Sequence, residues 1–132
     1  MAEGRSSVVD RMQQVLENLR ALSGEVDSVA VLSEGGELRA STLAPGVKRE
    51  RYAAMIGALA GIARRVAREN GAIGFVQARV REQEGHVLLL ALGRGGTLAA
   101  TTGPDARVGL VLYDMRNAGR ELERMLGFEE GG

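Results

Sequence analysis

Apolar positions change period several times along this chain, and each change marks an element. Val8, Met12, Val15, Leu16, Leu19 and Leu22 recur every three or four residues, the spacing of one helix face. The pattern predicts a first helix over residues 8–22. Ser7 and Asp10 open it in a capping-box arrangement, and Ser23 and Gly24 close it, because glycine takes the left-handed terminal conformation cheaply. Two short apolar runs follow, 29–33 and 38–42, around Glu34, Gly35, Gly36 and Glu37. They predict a β-hairpin, since the tight turns that suit twisted strands need positive φ. Pro45 and Gly46 then break the chain.

The helical period returns over residues 48–69. Tyr52, Met55, Ile56, Leu59, Ile62, Ala63 and Val66 make one apolar stripe, and Asn70 and Gly71 end it. Three strand-like runs come next, 73–82, 86–92 and 97–102, with glycine-containing turns between them at 83–85 and 93–96. The middle run is continuously apolar, as suits a strand buried on both faces. The first run mixes in Gln77, Arg79 and Arg81, a pattern of an edge strand. After Gly103, Pro104 and Asp105 a last helix carries Val108, Val111, Leu112, Met115, Leu122 and Met125 on one face. The order is α-β-β-α-β-β-β-α. Hairpin connections make the sheet antiparallel, and helices cover both its faces, an α/β (α+β) fold. Residues 8–126 are read as one domain, with flexible ends at 1–7 and 127–132.

Composition narrows the functional classes. A chain of 132 residues with 45% apolar content supports one core and is not a disordered tail. Lys plus Arg and Asp plus Glu both number 17, so the net charge is zero. That speaks against a dedicated nucleic-acid binder, which carries a basic footprint, and against a module held on anionic lipid. Lys48 is the single lysine. Coding bias explains the preference for Arg, and so does the suitability of its planar fork for protein interfaces. With no Cys, disulfides, thiolate catalysis and Cys-ligated metals are excluded. The N-terminal stretch lacks a signal-peptide core. The apolar run 87–92 is far short of the roughly 20 residues that span a bilayer. A cytoplasmic protein without membrane insertion is expected.

Catalytic chemistry finds no set of residues to carry it. The one histidine, His86, is read as a surface or strand-end residue outside any triad motif. The glycine-rich stretch 93–96 opens a strand, whereas a phosphate-cradling loop opens a helix. Glu82, Glu84, Glu129 and Glu130 lie in a turn and a tail. No enzyme activity, no cofactor and no metal are expected. The far side of the second helix is less ordinary. Ala54, Gly57, Gly61, Arg64, Arg65 and Arg68 lie away from the apolar stripe. Interior glycines cost about 1 kcal/mol each relative to Ala in a helix. Small residues admit a close backbone and arginines offer directional donors, although a bland solvent face also fits.

The ordered set of elements resembles the Roadblock domain of dynein light chains and their bacterial relatives. The likeness lies in the helix ending at Leu22, Ser23 and Gly24, the strand 29–33 with its Gly-Gly hairpin, and the long second helix through Ala63, Arg64, Arg65, Val66 and Ala67. The apolar strand 87–92 and the stretch 108–116 complete it. The resemblance covers about residues 8–126. It implies a five-stranded antiparallel sheet with one long helix on one face and the two terminal helices on the other. It also implies homodimers that pair through the strand after the second helix, with Phe75, Val76, Gln77 and Arg79 at the interface. The implied partner is a Ras-like small GTPase, regulated by activation of GTP hydrolysis in some bacterial members. The alternative is a scaffold subunit of a motor, signalling or envelope complex with no effect on a GTPase. Contacts to the partner fall on the second helix, at Ala54, Gly57, Gly61, Arg64, Arg65 and Arg68.

Overall fold

A computed structural model describes residues 2–44 and 48–131, with the side chains of 2–7, 94 and 127–131 excepted. The break expected at Pro45 and Gly46 lies outside the described residues. The elements run α1 (Ala2–Ser23), β1 (Val26–Leu32), β2 (Leu38–Ser41), α2 (Arg49–Glu69), β3 (Gln77–Glu82), β4 (Gly85–Ala91), β5 (Thr97–Thr102) and α3 (Val108–Gly131). The order α-β-β-α-β-β-β-α is the one the apolar pattern predicts. The helical backbone reaches further at both ends than the periodicity indicates. Ser7 therefore sits inside α1 rather than at its cap, and α3 continues through residues 127–131.

The strands form one antiparallel sheet in the order β2-β1-β5-β4-β3. The long β1–β5 and β4–β5 pairings place the most apolar strands in the middle, where both faces are covered. Side-chain alternation splits the core in two. On one face Leu88 and Leu90 of β4 and Leu98 and Ala100 of β5 meet α1 and α3. There α1 contributes Val8, Met12, Leu16 and Leu19, and α3 contributes Val111, Met115, Leu122 and Leu126. On the other face Leu89 and Ala99, with Ala30 and Leu32 of β1, meet α2.

The two layers are unequal. Fully burying a Leu, Ile or Met side chain contributes roughly 1.5–3 kcal/mol, and α1 and α3 each bury several. Of α2 only Ile56 and Ala60 are buried. The small Ala60, one turn after Ile56, lets the helix settle close to the sheet, and Tyr52, Ala53 and Leu59 pack partly around them. Burial pushes the Tyr52 phenol above the usual tyrosine range, which the neighbouring Ser28 hydroxyl partly offsets.

A two-residue turn joins β3 to β4, and Gly85 ends it with φ of 155. A Cβ there would run into the Thr102 carbonyl on β5. Only glycine allows β4 to pass this point, so Gly85→Ala should destabilise the fold by more than about 2 kcal/mol. Urea unfolding should show a lower midpoint at unchanged slope. An unshifted midpoint would refute the close approach.

Candidate functional site

A five-stranded open sheet has two edges, and this chain treats them differently. At the β2 edge the Gln13 side chain of α1 reaches Ser41. Gln13 Nε2 donates to the Ser41 carbonyl at 2.7 Å, and the Ser41 amide donates to Gln13 Oε1 at 3.2 Å. One side-chain amide thus reproduces both bonds of a ladder and caps that edge at Ser41. Arg49 Nη1 adds a bond to Ser41 Oγ at 3.1 Å.

Among the described residues nothing covers the β3 edge in this way. The Ala91 amide donates to the Val76 carbonyl at 2.9 Å, extending the ladder to β4 by one residue beyond β3. In an antiparallel pair the bonded residues alternate. Residues 76, 78, 80 and 82 therefore bond toward β4, and Gln77, Arg79 and Arg81 turn their N–H and C=O groups outward. Every residue of β3 except the half-buried Ala78 is exposed.

Apolar side chains crowd beside this edge. Val76 is 72% exposed, Ile62 61% and Val66 56%. Met55, Ile73 and Val80 are exposed as well. This corrects the expectation that Met55, Ile62 and Val66 belong to the core stripe of α2. The apolar arc of the helix is wider than one contact can cover. Packing on Ile56 and Ala60 rotates that arc, so one margin stays in solvent. The margin points toward β3, because the opposite flank of α2, with Glu50, Ala53 and Ala54, lines a groove of about 540 Å³ against Gly36, Glu37 and Leu38 of the β1–β2 hairpin.

The expected site residues divide. Val76, Gln77 and Arg79 lie together along the open edge. Phe75, expected beside them, is half-buried and packs into the α2-side cluster. Its neighbours 73–76 precede the strand, which begins only at Gln77. On α2, Ala54, Arg65 and Arg68 are exposed and Gly57, Gly61 and Arg64 half-exposed. Arg65 forms an exposed ion pair with Glu69 at 3.4 Å, worth only a few tenths of a kcal/mol. Among the described residues nothing lies within 4 Å of where a Cβ at Gly57 or Gly61 would sit, so none of them exploits the missing side chains. Met55, Ile62, Val66 and Val80 are the surface residues that the sequence pattern misassigned or passed over. The available signal was an apolar stripe too broad for a single contact.

His86 stands at a strand end, as expected, but is buried there: it is only 7% exposed, opposite Thr102, and among the described residues its Nδ1 has no hydrogen-bond partner. No cluster of three or more His, Cys, Asp or Glu occurs among the described residues. None of their helices is long and apolar enough to cross a membrane. At the far end of the sheet Glu25 accepts from the Arg107 amide at 2.6 Å and from Arg107 Nε at 2.7 Å, ahead of α3. These bonds hold the Glu25 carboxyl below the usual range.

Residues 12–102 match the Roadblock/LC7 domain family. An uncharacterised protein of Methanocaldococcus jannaschii is 28% identical over 119 residues, 90% of this chain and 97% of that one. Among solved structures, Myxococcus xanthus MglB superposes with a TM-score of 0.81 at 16% identity, covering 92% of this chain and 90% of that one. A Roadblock/LC7 domain from Streptomyces avermitilis superposes with a TM-score of 0.79 at 20% identity, covering 86% and 96%.

Proposed function

The chain belongs to the Roadblock/LC7 domain family, and we propose on that premise that it works as a homodimeric regulator or adaptor of a Ras-like small GTPase. The observation that carries the dimer is the open β3 edge with exposed Val76, Met55, Ile62 and Val66 beside it. A second copy adding its own β3 antiparallel would take up the outward N–H and C=O groups of Gln77, Arg79 and Arg81. It would also bring the exposed margins of the two α2 helices together. Two-fold closure makes one surface serve both partners and leaves no further edge exposed. One face of α2 then keeps its freedom. Gly57, Gly61, Arg64 and Arg68 lie on the flank of the helix away from Met55, Ile62 and Val66, so pairing of the helices does not cover them. That supports their use for a partner and counts against glycines placed only to pack helix on helix.

The GTPase comes from the family resemblance, and stimulation of GTP hydrolysis is the further step of the same reading. This chain acts through binding and positioning. Arg64, Arg65 and Arg68 supply directional donors to carboxylates on the partner, and the small residues Ala54, Gly57 and Gly61 let it approach the helix. The test is to combine the purified protein with the small GTPases of its genome and to follow binding and GTP turnover together. Binding with faster hydrolysis is the outcome expected of an activator, and binding alone that of an adaptor. Absence of binding to every one would contradict the proposal.

Two substitutions separate its parts. Gln77→Pro removes an outward amide without touching the bonds to β4. Light scattering should report a dimer for the native protein and a monomer for this variant; a native monomer at tens of micromolar, well above a typical specific dissociation constant, would refute the pairing. Arg65→Glu with Arg68→Glu should leave the dimer intact and weaken GTPase binding by about 1–3 kcal/mol, the range for lost charged hydrogen bonds. Unchanged affinity in titration calorimetry would remove α2 from the contact.

A further inference from the structure

Strand alternation decides what the open edge presents on the other face of the sheet. Ala78, opposite Leu89, packs into the α2-side cluster. Gln77, Arg79 and Arg81, opposite Leu90, Leu88 and His86, therefore project to the α1/α3 side, where Leu88 and Leu90 lie. On that side α3 turns Asp114, Asn117, Ala118 and Glu121 toward α1. It seats Gly119 on Leu90, and on Leu92 just after β4. The flank of α3 away from α1 carries Tyr113, Arg116 and Arg120; α3 lies over β4, so this flank is the one on the β3 side of the sheet. All three are exposed, as are Arg79 and Arg81.

Most acidic groups nearby are directed elsewhere: Glu82, in alternation with Ala78, falls on the α2 side, while the exposed Glu84 stands in the turn beyond Arg81. Asp114 and Glu121 face α1, Glu123 packs on Gly93 after β4, and Asp105 lies in the loop before α3. Among the described residues none of the ion pairs includes Arg79, Arg81, Arg116 or Arg120. Arg120 Nη1 bonds only the neutral Asn117 Oδ1, at 2.9 Å. A chain of zero net charge thus has four exposed arginines on one face of the sheet, Arg79 and Arg81 on β3 and Arg116 and Arg120 on the neighbouring flank of α3.

The dimer doubles this set. In an antiparallel sheet, residues directly opposite share a face. A two-fold axis through paired β3 strands therefore puts Arg79 and Arg81 of both copies on the same side, flanked by Arg116 and Arg120 of each α3. Like charges brought this close repel, and a bound anion relieves them. We infer that this arginine-bearing face binds an acidic peptide segment of a partner protein, laid across the two-fold axis on the side opposite α2. The inference rests on the proposed dimer. Arginine forks pair carboxylates bidentately. Among the described residues Tyr113 is the one aromatic on this flank of α3, too little for the stacking platform that single-stranded nucleic acid uses.

The test is fluorescence anisotropy with a fluorescein-labelled oligoglutamate peptide at low salt, with the oligomeric state of every sample read by sedimentation. The native dimer should bind the peptide. Arg116→Glu with Arg120→Glu should stay dimeric and bind at least about tenfold more weakly, as loss of charge-assisted bonds implies. Arg11→Glu with Arg51→Glu, the same charge change on exposed sites elsewhere, should bind like the native protein. A native dimer that ignores the peptide would overturn the inference, as would equal losses in both double variants. Tighter binding of a labelled oligothymidylate than of the peptide would overturn the choice of a protein segment. A native protein that sediments as a monomer would instead overturn the dimer itself.

Discussion

A strand at the end of a sheet leaves every second N–H and C=O without a partner, and the whole arrangement of this domain turns on which of its two ends is finished. The β2 end is capped inside the chain at Ser41, because Gln13 satisfies both backbone groups of that residue. Among the described residues nothing caps the β3 end in this way. Its outward groups belong to Gln77, Arg79 and Arg81, and its flanks carry both the apolar margin of α2 and the arginines of α3. Backbone pairing, apolar burial and charge therefore converge on one edge.

The imbalance between the two helical layers has the same origin. α1 and α3 bury long apolar ridges against the sheet, whereas α2 is held by Ile56 and Ala60 with a rim of half-buried neighbours. A helix anchored so thinly, with Ile62 and Val66 in water, gains from a second apolar surface beside it. The proposed dimer supplies that surface without using the Gly57, Gly61 and Arg64 flank. The partner face and the pairing face are thereby separate parts of one helix.

Much of this was legible in the sequence. Element order, the hairpin turns, the buried middle strand and the edge character of β3 all followed from periodicity and from polar residues at 77, 79 and 81. The orientation of α2 did not follow, because seven apolar residues within 52–66 define an arc and not a contact. Which part of the arc faces inward depends on Ala60, whose small side chain sets the closest approach to the sheet. Phe75, expected at the pairing edge, is half-buried in the α2-side cluster, a burial that periodicity does not reveal because residues 73–76 precede the strand. His86 reads as a surface or strand-end residue; the strand end holds, and its burial opposite Thr102 depends on the sheet pairing. The start of α1 escaped because residues 2–7 have no apolar period to mark them.

The central claim is that the β3 edge is covered by a second copy, and amide hydrogen exchange reads it residue by residue. Exposed edge amides exchange fast, and amides bonded in a ladder exchange only on opening. The account predicts that the Gln77, Arg79 and Arg81 amides exchange slowly at high protein concentration and lose that protection on dilution, while the β4-directed amides of Ala78 and Val80 stay protected throughout. Fast exchange at 77, 79 and 81 at every concentration, beside protected neighbours, would contradict it.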